Sequence, residues 1–112
     1  MTPKERAITA ARACADIKAD ELVVLDLHAL TSFTDFFIIC SGNSDRQVRS
    51  IADNVVEQMK KKKVPLIGIE GYDEGQWVLV DFGSVVIHVF HREMRSYYNL
   101  EKLWSDAKTV AC

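Results

Sequence analysis

The chain has 112 residues, 48% of them hydrophobic and 9% aromatic, enough for one domain to bury a core without disulfides or metal. Lys and Arg number 14 against 16 Asp and Glu, a formal net charge of −2. That balance excludes a global positive field, so any contact with nucleic acid has to be local. The three cysteines, Cys14, Cys40 and Cys112, are odd in number and scattered, which suits a reducing compartment better than a disulfide scaffold. Met1 is followed by no apolar leader, and no run approaches the roughly 18 apolar residues of a membrane span. The expectation is a soluble cytoplasmic protein with no membrane association.

Thr2-x-x-Glu5 has the form of a capping box, with Pro3 at the first helical position, where its missing N–H costs nothing. A helix is predicted from about Pro3 to Lys18 with Ile8, Ala11 and Ala15 inward. Leu22 to Leu27 forms a short β-prone run, a polar connection follows from Ala29 to Asp35, and Phe36 to Cys40 is a second strand. Ser44-x-x-Gln47 opens a second helix whose stripe of Val48, Ile51, Ala52, Val55 and Met59 repeats at helical spacing. Lys60 to Lys63 sit where that helix ends, against the negative end of its dipole, and Pro65 prevents continuation. Leu66 to Glu70 is a third strand, predicted to pair in parallel with the second as a βαβ unit. A loop from Gly71 to Gly75 leads into Trp77 to Phe82, and Gly83-Ser84 forms a two-residue turn of type II′ into Val85 to Phe90. A turn and a short helix fill the stretch from Glu93 to Lys108. The fold class is therefore α/β in a single domain over residues 1–112: a five-stranded mixed sheet, one βαβ unit plus an antiparallel meander, packed with helices.

Several patterns invite a chemical reading. Ser41-Gly42-Asn43-Ser44-Asp45-Arg46 lies between a strand and a helix, where free N–H groups attract phosphate, but it lacks both the P-loop and the dinucleotide fingerprint. Helix capping is the favoured role. Nucleotidyl transfer would need two strand carboxylates at i and i+2 holding metal about the transferring phosphate, and no Asp or Glu pair has that spacing. A pair from distant positions, Asp26 and Asp81, stays open. His88 and His91 project to opposite faces of a continuous strand, so they cannot share a metal ion; His88 between Ile87 and Val89 reads as a hydrogen-bonded core or edge histidine. Cys40 has no recognisable histidine partner and reads as a small buried side chain. No cofactor is expected. Lys60, Lys61, Lys62 and Lys63, extended by Arg46 and Arg49, offer a minor contact to RNA phosphate, though a solvated helix end is the favoured reading.

The remaining signal is aromatic. Trp77, Leu79 and Asp81 share one strand face, Val78, Val80 and Phe82 the other, and both are too apolar to face open water. Tyr97, Tyr98 and Trp104 follow near the C-terminus with Arg92, Arg95 and Glu101 as a charged rim. Core packing and docking surface account equally well for this cluster, since Trp and Tyr serve both.

The order of Leu25-Asp26, Thr34 to Ser44, Arg46-Gln47-Val48, Ile51-Ala52-Asp53, Gly68-x-Glu70-Gly71, Trp77 to Gly83, Val86 to Phe90 and Arg95-x-x-Tyr98-x-Leu100-Glu101-x-Leu103-Trp104 resembles the ribosomal silencing factor family (RsfS), called Iojap in plants. The resemblance covers about Asp20 to Trp104. It implies a nucleotidyltransferase-like fold without the catalytic carboxylates and a binding module, not an enzyme. Its implied partner is protein number fourteen of the large ribosomal subunit, at the face where the subunits meet. Occupying that face blocks the small subunit and represses translation during starvation. Carried over residue by residue, the implied docking surface is Trp77, Asp81, Tyr98, Leu100 and Trp104, with Arg95 and Glu101 as supporting charges. A homodimer is one way for the free protein to cover exposed strand edges and aromatic patches; the sequence leaves the oligomeric state open.

Overall fold

Thr2 opens helix α1 (Pro3–Asp16) in a computed structural model that describes residues 1–111. Its hydroxyl accepts the Glu5 N–H at 3.1 Å and its own N–H donates to Glu5 Oε1 at 2.9 Å, closing the capping box. The buried face is built from small residues, Ala7, Ala10, Ala11, Ala13 and Cys14. Of the expected inner residues, Ala11 is buried, Ile8 half-buried and Ala15 exposed. An alanine-rich helix carries little hydrophobic contrast, which is why its phase was misplaced. It also ends at Asp16, short of Lys18, because Lys18 turns out of the helix with φ 60°. In α2 (Asp45–Lys61) the contrast is strong, and Val48, Ile51, Ala52, Val55 and Met59 are all buried. Ser44 caps it through Gln47 N at 3.1 Å. The Gln47 side chain accepts from Asn43 N and donates to the carbonyls of Ile17 and Lys18, tying the start of α2 to the end of α1.

The sheet has six strands: β1 (Asp20–Asp26), β2 (Phe36–Gly42), β3 (Gly68–Glu70), β4 (Trp77–Asp81), β5 (Val85–His91) and β6 (Lys108–Thr109), in the order β3-β4-β5-β2-β1-β6. The sixth strand, which pairs with β1 at Leu25 and Asp26, is too short to carry a period. The predicted β2-α2-β3 unit is also corrected: the parallel partner of β2 is β5, from Phe36↔Val85 to Gly42↔His91, and β4 and β5 stand between β2 and β3. Burial explains the choice. β2 is buried at every residue and β5 at all but His91, so these two belong at the centre, whereas Ile69 and Glu70 of β3 are exposed and suit an edge. The antiparallel meander β3-β4-β5 is present as expected. Its second turn is closed by Gly83 at φ 85°, with the Ser84 N–H donating to the Phe82 carbonyl at 3.1 Å.

Helices α1 and α2 both pack on one face, over a core that includes Val24, Ile38, Cys40, Val80, Ile87 and Val89. Cys14 and Cys40 are buried there as free thiols; Cys112 lies outside the described residues. The opposite face carries a smaller core of Leu25, Leu27, Phe37, Ile39, Val86 and Phe90. Its cover is α3 (Arg92–Tyr98), the single turn α4 (Leu100–Leu103) and the connection through residues 27–35. Among the described residues no helix is long and apolar enough to cross a membrane.

Candidate docking surface

Strand register aligns the residues of the second face in rows. Trp77 of β4 lies opposite Phe90 of β5, then Ser41 of β2; Leu79 lies opposite His88, then Ile39; Asp81 lies opposite Val86, then Phe37. Residues opposed across a sheet share a face, so Trp77, His88, Phe90 and Phe37 form one aromatic floor. Trp77 stacks on Phe90 with centroids 4.9 Å apart, and Phe37 meets His88 edge-on at 4.5 Å. His88 is only 4% exposed. Its Nδ1 accepts the indole N–H of Trp77 at 3.1 Å, which places the remaining ring proton on Nε2, an atom with no hydrogen-bond partner. Burial lowers its pKa to about 4, so the ring is neutral at physiological pH.

Above this floor sit aromatics that are part core and part surface. Tyr98 packs on Trp77 at 4.7 Å and stays 45% exposed. Trp104 packs edge-on against Phe37 at 5.5 Å, with Phe33 beside it at 6.1 Å. Leu100 is half-buried against the same core, and Tyr97 and Leu103 point to solvent. Phe33, at 63% exposed, escapes the sequence argument because it stands alone between Ser32 and Thr34 in a connection without periodicity. A lone aromatic in a polar loop was the available signal.

The charged residues work differently. Arg95 is 6% exposed, with its guanidinium turned inward. It donates to Ser41 Oγ at 2.9 Å and forks onto Glu101, Nε to Oε1 at 3.0 Å and Nη2 to Oε2 at 3.2 Å. This pair ties α3 and α4 to the end of β2. Asp81 is half-buried, and its Oδ1 accepts the Gly83 N–H at 2.8 Å, fixing the β4–β5 turn. Trp77, Tyr98, Leu100 and Trp104 are thus brought together, Arg95 and Glu101 brace them from beneath, and Asp81 stands at the far end of the floor.

The chemical alternatives are dispersed. Asp26 lies opposite Phe36 on the helix-covered face and Asp81 opposite Val86 on the other face, with β5 and β2 between their strands. Three strand spacings of about 4.8 Å separate them, so they do not converge on one ion. Asp26 instead accepts from His28 N and Nδ1, which lowers its pKa. His91, the last residue of β5, also caps α3, its side chain accepting from Glu93 N. Cys40 is fully buried, and a hydrogen bond to it, with burial, raises the Cys14 pKa. The cleft of about 570 Å³ beside Ser41 and Asn43 is lined by Asp20, Glu21 and Glu93 against Arg92 alone, a poor charge match for phosphate. Among the described residues no three His, Cys, Asp or Glu side chains are grouped to hold a metal. Lys60 to Lys63 lie at the end of α2, on the helix side of the sheet.

A sheet closed by two helices on one face and carrying a half-covered aromatic platform on the other makes a domain of mixed α/β fold with one candidate docking surface. The family described as "Ribosomal silencing factor during starvation" matches residues 1–112. Ribosomal silencing factor RsfS of Bacillus subtilis is 48% identical over 96% of this chain and 91% of its own. A crystal structure of a protein from Chromobacterium violaceum superposes with a TM-score of 0.92 at 40% identity, covering 94% of this chain and 88% of that one. The mouse protein named mitochondrial assembly of ribosomal large subunit protein 1 is 39% identical over 78% of this chain, which spans 40% of it. The chain belongs to the RsfS family of ribosomal silencing factors.

Proposed function

We propose that this silencing factor docks through its aromatic platform on protein number fourteen of the large ribosomal subunit, at the intersubunit face. There it sterically keeps the small subunit from joining and represses translation during starvation, in the cytoplasm. Family membership supports the role. The observation that carries the location is the platform itself, where Tyr98, Phe33 and Trp104 expose ring surface over a rigid floor. Large, rigid aromatics at low entropy cost are what dominate binding hot spots. No bond is made or broken in this mechanism; exclusion alone suffices. The same reading treats the domain as a nucleotidyltransferase-like fold without catalytic carboxylates, supported by the separation of Asp26 and Asp81 on opposite faces.

In the free chain the platform is exposed apolar surface that favours cover, and a second copy docked platform to platform is the cover we assign, displaced when the large subunit binds. The contact of Lys60 to Lys63 with ribosomal RNA draws less support, because these lysines belong to the helix side of the sheet and not to the platform. The test is sedimentation of purified subunits with the protein added before or after they are mixed. Free subunits should accumulate when it is added first. Full joining in its presence would overturn the proposal.

A further inference from the structure

The helix layer stops short of one sheet edge. Helix α1 lies chiefly over β1 and β2, and α2 over β2, β5 and β4, which leaves β3 without a helix above it. Two helices at spacings of about 8–10 Å cover roughly four strands at about 4.8 Å, so the edge strand β3 stands uncovered beside α2. A groove of about 480 Å³ lies next to it, against the end of α2, lined by Val56, Val64, Leu66 and Phe82 with Lys60 and Lys63 at its rim. Ile69 is in register with Val80, which belongs to the helix-side core, so Ile69 and Ile67 face the same uncovered side. Ile67 is 67% exposed and Leu66 and Ile69 are exposed with it, an apolar surface lying on the opposite side of the sheet from the aromatic platform.

The rim is positively charged: of the run Lys60 to Lys63, Lys60 and Lys63 line the groove. Among the described residues only Lys61 of the four lysines has a carboxylate within reach, Glu57 at 3.7 Å. Lys63 also holds the left-handed conformation, φ 59°, at the position after a helix cap where glycine costs least. From that position Lys63 lines the groove mouth.

We infer that this groove binds an acidic, amphipathic helix of a second protein, as a third member of the helix layer, antiparallel to α2, with its acidic first turn against Lys60 and Lys63. In that orientation the acidic residues of the incoming helix also favour its own N-terminal dipole. RNA would engage the lysines and leave the apolar floor unused. A second copy of this chain is a poor occupant, since α1 and α2 already spend their apolar faces on the sheet. The silencing factor is then two-sided, able to hold an accessory protein while its platform is engaged.

The probe is a synthetic helix of about 18 residues, Asp and Glu in its first turn and leucines at i, i+3, i+4 and i+7, titrated into the isotope-labelled full chain and followed by amide chemical shifts. Shifts at Val56, Val64, Leu66, Ile67 and Ile69 with none at Trp77 or Tyr98 are expected. Ile67→Glu, at an exposed position, should weaken binding at least about tenfold, and Lys60→Gln with Lys63→Gln about fivefold. Lys63→Gly should weaken binding while raising the thermal midpoint, a divergence that a purely structural lysine would not give. No saturable binding, shifts confined to the aromatic platform, an equal affinity for a single-stranded RNA oligomer at the same residues, or groove shifts that follow self-association of the chain would each overturn the inference. The titration uses the isolated protein, so its failure is separate from any failure of ribosome docking.

Discussion

Trp77 donates its indole N–H to Nδ1 of His88 at 3.1 Å across the β4–β5 pair, and the histidine beneath it is closed off from water. The ordinary histidine pKa of 6.5 falls to about 4 by burial, so between these values the unfolded chain takes up a proton that the native chain refuses. Stability is therefore full above about pH 6.5 and declines as pH drops through the window to about 4, by up to about 3 kcal/mol from this group. Glu5 and Asp26, whose pKa values are lowered by hydrogen bonds, add their own acid loss. Comparing urea midpoints from pH 7.5 to 4.5 for the native chain and His88→Gln isolates the histidine: the variant should show a distinctly flatter profile. Identical slopes would assign the acid sensitivity to the carboxylates alone.

The platform residues should separate by exposure. Phe33→Ala and Tyr98→Ala truncate rings that are 63% and 45% exposed, so each should cost little stability yet weaken binding to large subunits about tenfold or more. Phe90→Ala, at a fully buried position, should cost about 3–5 kcal/mol of stability instead. Paired measurements of thermal midpoint and subunit affinity decide whether the platform is contact or core.

What the sequence yields follows from where its contrast is high. The stripe of α2 is read correctly because apolar and polar residues alternate sharply at helical spacing, and all five stripe residues are buried; the strand Trp77 to Asp81 is read from a short β-prone apolar run bounded by glycines. The alanines of α1 offer no such contrast, and its face is misplaced. Strand order fails for another reason: β2 and β3 flank α2 in the chain, but neighbourhood in a sheet is settled by which strands are apolar on both faces, and β5 outcompetes β3 for β2. At the surface, Trp77, Tyr98, Leu100 and Trp104 come out of composition and family pattern together. Phe33 does not, since only the folded connection brings it against Phe37 and Trp104.

Arg95 should behave as a brace and not as a contact. Removing it by Arg95→Ala leaves Ser41 and Glu101 without their shared partner, and because the Glu101 side chain is 38% exposed the loss should be about 1–3 kcal/mol, that of charge-assisted hydrogen bonds and not of a stranded buried charge. Arg95→Lys should recover little of this, because an ammonium cannot reproduce the two-pronged grip on Glu101. Thermal melts of the two variants check the ranking. A lysine variant as stable as the native chain would show that the fork geometry is unimportant.

The junction between α3 and α4 rests on Asn99, which adopts φ 45° and ψ 52° as both the cap of one helix and the start of the next. Asparagine tolerates this left-handed conformation better than any residue but glycine. The reversal it produces carries Leu100 and Trp104 back over the floor, so the platform depends on one backbone angle as much as on ring contacts. Asn99→Gly should be neutral or slightly stabilising, whereas Asn99→Val should cost about 1–2 kcal/mol. In the valine variant the strain can be relieved only by lifting α4, which exposes Trp104 to water. Tryptophan emission should therefore shift to the red, and large-subunit affinity should fall together with it. A valine variant that melts early but keeps native emission and native affinity would show that α4 holds its place through Arg95 and Glu101 without help from this turn.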